Sequence, residues 1–391
     1  MKEKPLLYLF VLTTIIAGCS SNKQSKDNLA HIDANRNYPE KEIILTDIAD
    51  ISYLHLNSDN DDYLYKGGIA SLSKNTIVVF DSYSGNILFF SEDGNPKSQF
   101  NRRGRGPEEY LEANYIIFDE SSDDVFVASS SPFTDFIQVY SSTGKHKRKI
   151  SLPGIGVGKV VSYDEGSLLV YDSKFELMRN MGRFEQAVSA NDHDDSPFMI
   201  VSKTDGKILD YIHLPQNNII LRVANETSWI NPCRVIRCPG GILLCNPETD
   251  TVFRYNIDKS LTPVMYKTPF VSDLDPMVIL NNCVDVGNYQ FIELITLSIV
   301  DRDFPIKYYV RDKRNGEVYQ QKLVLPEYKG KVFFIGLLKH QIDYENGAYL
   351  ELDLLELKQA YRENKLSGKL KELVATLKDD DNNVFVRANF K

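Results

Sequence analysis

A repeated unit of strand-forming segments is the feature that most constrains this chain. Each unit contains an apolar run, a turn, an aromatic-rich run, a turn with glycine and a third run that often ends in proline. Four-stranded units at a spacing of 50–60 residues are typical of β-propeller blades, which pack around a ring and so hide their sheet edges. Five units are visible, at 75–100, 124–153, 166–173 resumed at 197–215, 240–269 and 291–326. Their turn positions are Gly94, Gly144, Gly206, Ser260 and Gly316.

The spacing predicts a sixth blade divided between the two ends of the chain. Segments 42–56, 331–352 and 383–390 have strand patterns, and pairing the first with the last would close the ring and remove open edges. Between them, 354–377 predicts two short amphipathic helices interrupted at Ser367-Gly368. We therefore expect an all-β fold over residues 41–391, a six-bladed propeller of four-stranded antiparallel blades with these helices capping the last blade.

The first eighteen residues predict export. An apolar run at 5–17 follows two lysines and has the length of a secretory signal, shorter than the roughly 20 apolar residues of a spanning helix. The run leads through Ala17-Gly18 into Cys19, which resembles the lipobox of bacterial lipoproteins. The resemblance implies a signal peptide at 1–18, lipid on Cys19 that attaches the chain to a membrane, and a flexible tether at 19–40. The alternative is an ordinary secretory signal with an incidental cysteine.

Several stretches resemble one family of envelope proteins. YLHL at 53–56, NRRGRGPEEY at 101–110, DTVFRY at 250–255 and the C-terminal strand are similar to the six-bladed β-propeller lipoproteins of Bacteroidota, a largely uncharacterised family. Segment 125–145 also resembles the repeats of NHL- and TolB-like propellers. The resemblance implies the fold and leaves the activity open, because a fold does not imply a function.

The residues after the lipobox predict where in the cell envelope the protein is located. Ser20 and Ser21 lack the aspartate that, by resemblance, retains lipoproteins in the inner membrane, which favours the outer membrane. SSNKQSK at 20–26 also lacks the acidic cluster that resembles a surface-export signal. We expect the propeller on the periplasmic side, with surface exposure as the alternative.

Segment 101–110 contains the most unusual sequence of the body. Arg102, Arg103 and Arg105 stand among glycines, followed by Glu108 and Tyr110. The guanidinium groups are suited to a carboxylate, sulfate or phosphate, but no Gly-Lys-Ser/Thr follows, so this is not a nucleotide loop. Two interpretations stay open. One is a ligand contact, and the other is a connector between blades in which arginine pairs with one of the neighbouring glutamates.

Other candidate sites are weaker. Asp192, His193, Asp194 and Asp195 have ligand atoms for calcium or a transition metal, but their spacing does not match the Asp-x-Asp-x-Asp-Gly calcium loop, so a solvated acidic loop is favoured. Trp229, the single tryptophan, is a candidate for stacking on a sugar or for packing between blades. No metal site and no cofactor is expected.

Four cysteines follow Cys19, and an even number in an exported chain is compatible with disulfides. Cys238 and Cys245 lie at unequal distances from the turn of a predicted hairpin and should not face each other, so buried free thiols are favoured. For Cys233 and Cys283 the sequence leaves both a disulfide and free thiols open. No Cys-x-x-Cys pair supports a zinc site.

The net charge and the motifs limit the classes of function that fit this chain. A net charge of −9 disfavours nucleic acid as a partner. Gly-x-Ser-x-Gly and His-Glu-x-x-His motifs are absent from the sequence. The sequence favours a cell-envelope lipoprotein whose propeller is a non-catalytic binding module for a protein partner or a glycan. The alternative is a propeller enzyme, such as a glycan lyase, hydrolase or lactonase, with its site at the mouth of the central channel.

Overall fold

The computed structural model describes residues 29–58, 61–180, 196–215, 234–246, 249–297, 304–336, 340–343 and 347–391. Within these residues the strands form six sheets, each built on four antiparallel strands. The predicted six-bladed propeller is confirmed. Three strands precede the first complete blade: β1 Ala30–Asp33, β2 Glu40–Ile44 and β3 Ala49–His55.

The remaining strands follow blade by blade along the chain. Blade 1 contains β4 Gly67–Leu72, β5 Thr76–Asp81, β6 Ile87–Ser91 and β7 Pro96–Phe100. Blade 2 contains β8 Tyr115–Asp119, β9 Asp124–Ala128, β10 Phe136–Tyr140 and β11 His146–Ser151. Blade 3 contains β12 Val157–Ser162, β13 Ser167–Asp172, β14 Phe198–Ser202 and β15 Ile208–Tyr211. Blade 4 contains β16 Arg234–Cys238, β17 Gly241–Asn246, β18 Thr251–Asn256 and β19 Leu261–Thr268. Blade 5 contains β20 Met277–Val286, β21 Tyr289–Leu297, β22 Ile306–Asp312 and β23 Val318–Val324, with β24 Val332–Phe333 paired to β23. Blade 6 contains β25 His340–Asp343, β26 Gly347–Leu352 and β27 Val384–Phe390.

The hydrophobic core is divided into layers between neighbouring blades. The second strand of each blade is covered on both faces, which explains why TIVVFD at β5 and SLLVYD at β13 are nearly continuous apolar runs. In β5, Val78 packs against blade 2, whereas Ile77 and Val79 pack against blade 6. Equivalent layers join every successive pair of blades, including blades 6 and 1, so the ring is closed.

Blade 6 combines the two ends of the chain. β3 is its outer strand and pairs antiparallel with β27, from Ala49 opposite Phe390 to His55 opposite Val384. The predicted closure of the ring by an N-terminal and a C-terminal strand is therefore confirmed. Without this pairing, each of the two strands would expose an unpaired sheet edge.

The N-terminal segment joins two further blades before it reaches blade 6. β1 pairs in parallel with β19 of blade 4, and β2 pairs in parallel with β23 of blade 5. Ile32 and Tyr38 are buried in the layer between those blades. The sequence places residues up to 40 in the tether, but the folded body begins at Ala30, because Ala30 and Ile32 alternate toward the core. We call residues 30–44 the N-terminal strap.

The helices are short and fill spaces around the ring. They are α1 Leu45–Ile48, α2 Ser173–Asn180, α3 Leu354–Arg362 and α4 Gly368–Thr376. α3 and α4 lie between β26 and β27, where Leu357, Leu370 and Val374 pack into the layer between blades 5 and 6. The Asp353 carboxylate accepts a hydrogen bond of 2.9 Å from the Glu356 amide and caps α3. The two predicted helices and their interruption at Gly368 are observed.

The turns between the third and fourth strands explain the repeated glycine. Gly144 has φ +79°, and a Cβ there would lie 2.4 Å from the Cβ of Phe100 on the preceding blade. Both conditions favour glycine. In blade 4 the equivalent residue is Lys259, with φ +66°, and not Ser260 as the spacing suggests. The amide of Asn256 bonds the carbonyl of Ser260, as that of Ser141 bonds Lys145 one residue beyond Gly144.

Cys238 and Cys245 are buried free thiols. They lie in the hairpin of β16 and β17, where Cys238 is opposite Gly241 and Cys245 is opposite Arg234. The expectation that they do not face each other is met. The side chains of Cys233 and Cys283 lie outside the described residues.

Candidate functional site

The first strands of blades 1 to 4 surround a cavity of about 1160 Å³ at the centre of the ring. Lining residues come from both ends of β4 and β8 and from β12 from Lys159 onward, so the cavity follows most of the length of these strands. Blade 6 contributes Tyr349 and Arg387. Groups that can bond a hydroxyl-rich ligand are present on several blades: Ser71, Ser73, Asn114, Tyr115 and Ser162.

One end of the cavity, which we call the hairpin mouth, is formed by turns. These are the turns from first to second strand (73–75, 120–123 and 163–166) and from third to fourth strand (92–95 and 203–207). All of the described carboxylates that line the cavity lie at this mouth, together with two lysines: Glu92, Asp119, Glu120, Asp164, Glu165, Lys74 and Lys203.

Cations line the cavity within the strands. Lys159 is the third residue of β12, Arg234 is the first of β16, Arg237 lies later in the same strand, and Arg387 lies in the middle of β27. Lys159 is buried and the three arginines are half-buried. The lining carboxylates are thus confined to the hairpin mouth. Lys159, Arg234 and Arg387 lie farther in, whereas Arg237 lies next to the turn that ends β16 and so belongs to the mouth.

Arg234 is held in place by two buried polar side chains. Its Nε donates a hydrogen bond of 3.3 Å to Oδ1 of Asn281, whose Nδ2 donates one of 3.0 Å to Oε2 of Glu293. Glu293 is fully buried, and Asn281 is 1% exposed. The two terminal nitrogens of the Arg234 guanidinium have no partner among the described residues. This arrangement fixes the direction of a guanidinium that lines the cavity.

At the hairpin mouth, Lys203 and Asp119 form an ion pair of 2.9 Å that joins blades 3 and 2. Burial alone would raise the pKa of the Asp119 carboxyl, but hydrogen bonds from Ser121 and Lys203 outweigh it and lower that pKa. Glu120 accepts hydrogen bonds from the side chain and amide of Asn75 and from the hydroxyl of Thr76. These contacts give the two carboxylates structural roles between blades.

The arginine-rich segment is built as a connector from blade 1 to blade 2. Arg102 Nε donates to the carbonyl of Gly144 at 2.9 Å, and Arg103 donates to the carbonyl of Tyr83 at 3.3 Å. Tyr110 is buried, and its hydroxyl donates to the carbonyl of Gly85 at 2.9 Å. The arginines therefore bond backbone carbonyls, and no ion pair joins them to the neighbouring glutamates among the described residues.

Four of the five candidate side chains of this segment are exposed, and Tyr110 is the buried one. Arg105 is exposed and has no hydrogen-bond or ion-pair partner in the part of the chain that the structure describes. Glu108 is exposed, with its carboxylate 3.6 Å from Nδ1 of His146, while its carbonyl accepts a hydrogen bond from Tyr140. The segment lies outside the set of cavity-lining residues. Of the predicted ligand contacts here, Arg105 is the one whose side chain is available.

The other sequence-predicted sites fall outside the described residues. These are the lipid site Cys19, the candidate sugar platform Trp229, and the acidic run Asp192, His193, Asp194 and Asp195. Among the described residues, no three His, Cys, Asp or Glu side chains are grouped as metal ligands. The described helices include none that is long and apolar enough to cross a membrane.

The cavity cations were not found from the sequence. They come from three blades, and their positions along the chain give no motif. A signal was present in the strands themselves, since VGKVVS at β12 and RVIRC at β16 place cations within short apolar runs. A charge at such a position is rare unless it is paired or faces a site.

The fold and the central cavity define the class: the chain is a six-bladed β-propeller. Residues 20–205 match the model of the DUF5128 family, described as a 6-bladed beta-propeller. Among curated proteins, no sequence matches this chain.

Solved structures share the fold at low sequence identity. One is a protein from Bacteroides fragilis described as exported, with 15% identity, a TM-score of 0.61, and coverage of 93% of this chain and 99% of that one. A second is a member of the DUF4221 family from Bacteroides vulgatus, with 10% identity, a TM-score of 0.48 and coverage of 88% and 97%. A third is virginiamycin B lyase from Staphylococcus aureus, with 13% identity, a TM-score of 0.36 and coverage of 77% and 80%. At these identities the likeness concerns the fold alone.

Proposed function

We propose that this protein is a lipid-anchored binding protein of the cell envelope that holds a glycan in its central cavity. The cavity of about 1160 Å³ carries the proposal. It exceeds the roughly 300–1000 Å³ of pockets for drug-sized ligands, so it has room for an oligosaccharide, and a concave site suits such a ligand better than the surface of a protein partner. Hydroxyl and amide groups on several blades supply bonds for sugar hydroxyls.

The anchor supports the location. Lipid on Cys19 would leave about ten residues before the first strand, enough to keep the propeller close to a membrane. The absence of an aspartate or an acidic cluster after Cys19 favours the periplasmic side of the outer membrane. Replacement of Cys19 by Ala should abolish incorporation of a labelled fatty acid into the protein, and incorporation that persists in this variant would contradict lipid on Cys19.

Blocking the cavity tests the binding role. Gly68 lines the cavity on β4, and a Cβ at this position would meet no atom within 4 Å, so Gly68→Trp should obstruct the cavity without disturbing the strand. The matched control is Leu209→Trp, on the outer strand of blade 3, where Leu209 is already 51% exposed.

The measurement is a glycan array on the chain from Ser20 onward, followed by calorimetry with the glycans that bind. We expect Gly68→Trp to abolish binding and Leu209→Trp to retain it, with both variants unfolding near the wild-type temperature. Binding that survives in folded Gly68→Trp would exclude the cavity as the site. No binding to any glycan by the wild type would contradict the proposed function.

A further inference from the structure

We infer that the ligand of the central cavity is an anionic glycan whose carboxylate is bound by Arg234. This inference rests on the proposed function and names the chemical class of its ligand. It comes from the placement of charge along the cavity and from the way in which Arg234 is held.

Arg234 has the features of a prepared anion site. Its Nε is occupied by Asn281, and Asn281 is in turn held by the fully buried Glu293, so the guanidinium is oriented before a ligand arrives. The terminal nitrogens, which have no partner among the described residues, form the planar pair of donors that matches a carboxylate. A surface arginine without such support would lose more side-chain entropy on binding.

The surrounding cavity adds positive potential. Lys159, Arg237 and Arg387 line the same cavity from strands β12, β16 and β27. Charges in a narrow space between protein walls are less screened than surface charges, so they act together on a bound anion.

The hairpin mouth gives the ligand a direction. Five carboxylates lie there against three cations, Lys74, Lys203 and Arg237, so an anion is disfavoured at that end and favoured deeper in the cavity, beside Arg234. The acidic part of the glycan should lie against Arg234, and neutral sugar units should extend toward the hairpin mouth. There the hydroxyl oxygens of Ser73 and Ser162, which donate to backbone carbonyls, can still accept hydrogen bonds from the sugar.

The test compares probes that differ only in charge. Trigalacturonate, its methyl ester and a sulfated trisaccharide of the same length are titrated into the chain from Ser20 onward by calorimetry. We expect trigalacturonate to bind about 10- to 100-fold more tightly than the neutral ester, as for hydrogen bonds to a charged group. Tighter binding of the sulfated probe would overturn the assignment of a carboxylate.

Variants of Arg234 locate the effect. Arg234→Met should remove most of the preference for trigalacturonate and leave affinity for the methyl ester within about two-fold, because only the charged contact is lost. Arg234→Lys keeps the charge without the planar donors and should retain part of the preference. The matched control Arg36→Met, at an exposed arginine of the N-terminal strap, should bind like the wild type.

The outcomes separate this inference from the proposed function. Equal binding of the acid and its ester, with both lost in Gly68→Trp, would overturn the anion inference and leave the glycan site in place. A preference for the acid that survives in Arg234→Met would overturn the role of Arg234. Should Arg234→Met fail to fold, Arg234→Lys still tests the point through its reduced preference. If no probe binds and the glycan array is also empty, the proposed function itself fails.

Discussion

At the scale of single residues, the connector between blades 1 and 2 shows how a conspicuous sequence becomes structure. Arg102 and Arg103 each donate a hydrogen bond to a backbone carbonyl of a turn, that of Gly144 on blade 2 and that of Tyr83 on blade 1. Gly106 donates its amide to the Glu109 carboxylate at 2.7 Å, so the bend closes on itself. Two interpretations of this segment were open from the sequence. The bonds of Arg102, Arg103 and Tyr110 to backbone carbonyls are those of a connector, although among the described residues no arginine pairs with a neighbouring glutamate as that interpretation expected.

Tyr110 should contribute measurably to stability through its hydroxyl. Tyr110→Phe removes the buried bond to the carbonyl of Gly85 and should lower the free energy of unfolding by about 1–2 kcal/mol. Tyr83→Phe is the control in the same region, since Tyr83 is 80% exposed, and its change should stay within about 0.5 kcal/mol. Denaturant unfolding measures both, and equal effects would contradict the structural role of the Tyr110 hydroxyl.

Asp172 should make stability depend on pH. Its carboxylate is buried and accepts hydrogen bonds from the amides of Gly156, Lys174 and Phe175 at the start of α2. Burial outweighs these bonds and raises the pKa of Asp172 to about 6. The folded state therefore holds this proton more tightly than the unfolded state, so the stabilisation is complete below the ordinary pKa and is lost as pH rises through 6.

Asp172→Asn keeps a side-chain oxygen that can accept hydrogen bonds from the three amides, and it removes the titrating carboxyl group. Relative to the wild type, its free energy of unfolding should rise between pH 4 and pH 7 by up to roughly 3 kcal/mol, from a shift of about two pKa units. Denaturant unfolding across this pH range measures the difference. A constant difference would mean that the three amides hold the pKa of the Asp172 carboxyl near its ordinary value.

At the scale of elements, the sequence was most informative where one blade repeats another. The apolar second strands and the turn glycines predicted the blades, because a strand covered on both faces has a recognisable composition. β1 was missed, since AHID is four residues long and lies in a polar segment. The cavity cations were missed because they lie on strands of three different blades, and only the closed ring brings them together.

Gly144 should be intolerant of any side chain. Gly144→Ala combines a positive φ with a Cβ only 2.4 Å from that of Phe100, so the turn or the preceding blade must move. The expected loss is at least about 1–3 kcal/mol in the free energy of unfolding. Gly240→Ala is the comparison, because it has a similar φ of +81° with no atom within 4 Å of the added Cβ. Thermal unfolding showing equal losses would assign the whole effect to φ.

At the scale of the whole molecule, stability is distributed among layers between blades, and the ring is complete only when both chain ends are in place. The N-terminal strap contributes Ile32 and Tyr38 to the layer between blades 4 and 5, next to residues more than two hundred positions away in the sequence. Removing the strap therefore exposes the outer strand β19 as well as part of a core layer.

A chain that begins at Glu40 should be less stable than one that begins at Leu29. The loss of Ile32 and Tyr38 from the core should lower the free energy of unfolding by about 3 kcal/mol or more. The chain from Leu29 is the control, since it lacks only residues before the strap. Unfolding in denaturant measures the difference, and equal midpoints would show that the strap adds nothing to the fold.

The strap also determines how the molecule would respond to mechanical load. Tension applied at the start of the chain reaches β1 on blade 4 first, then β2 on blade 5, and only afterwards β3, which closes the ring. Two pairings must therefore yield before the pull acts on the closing strand. If the protein is held at a membrane by its first residues, these two pairings would break first under load, and the ring and its cavity would stay intact.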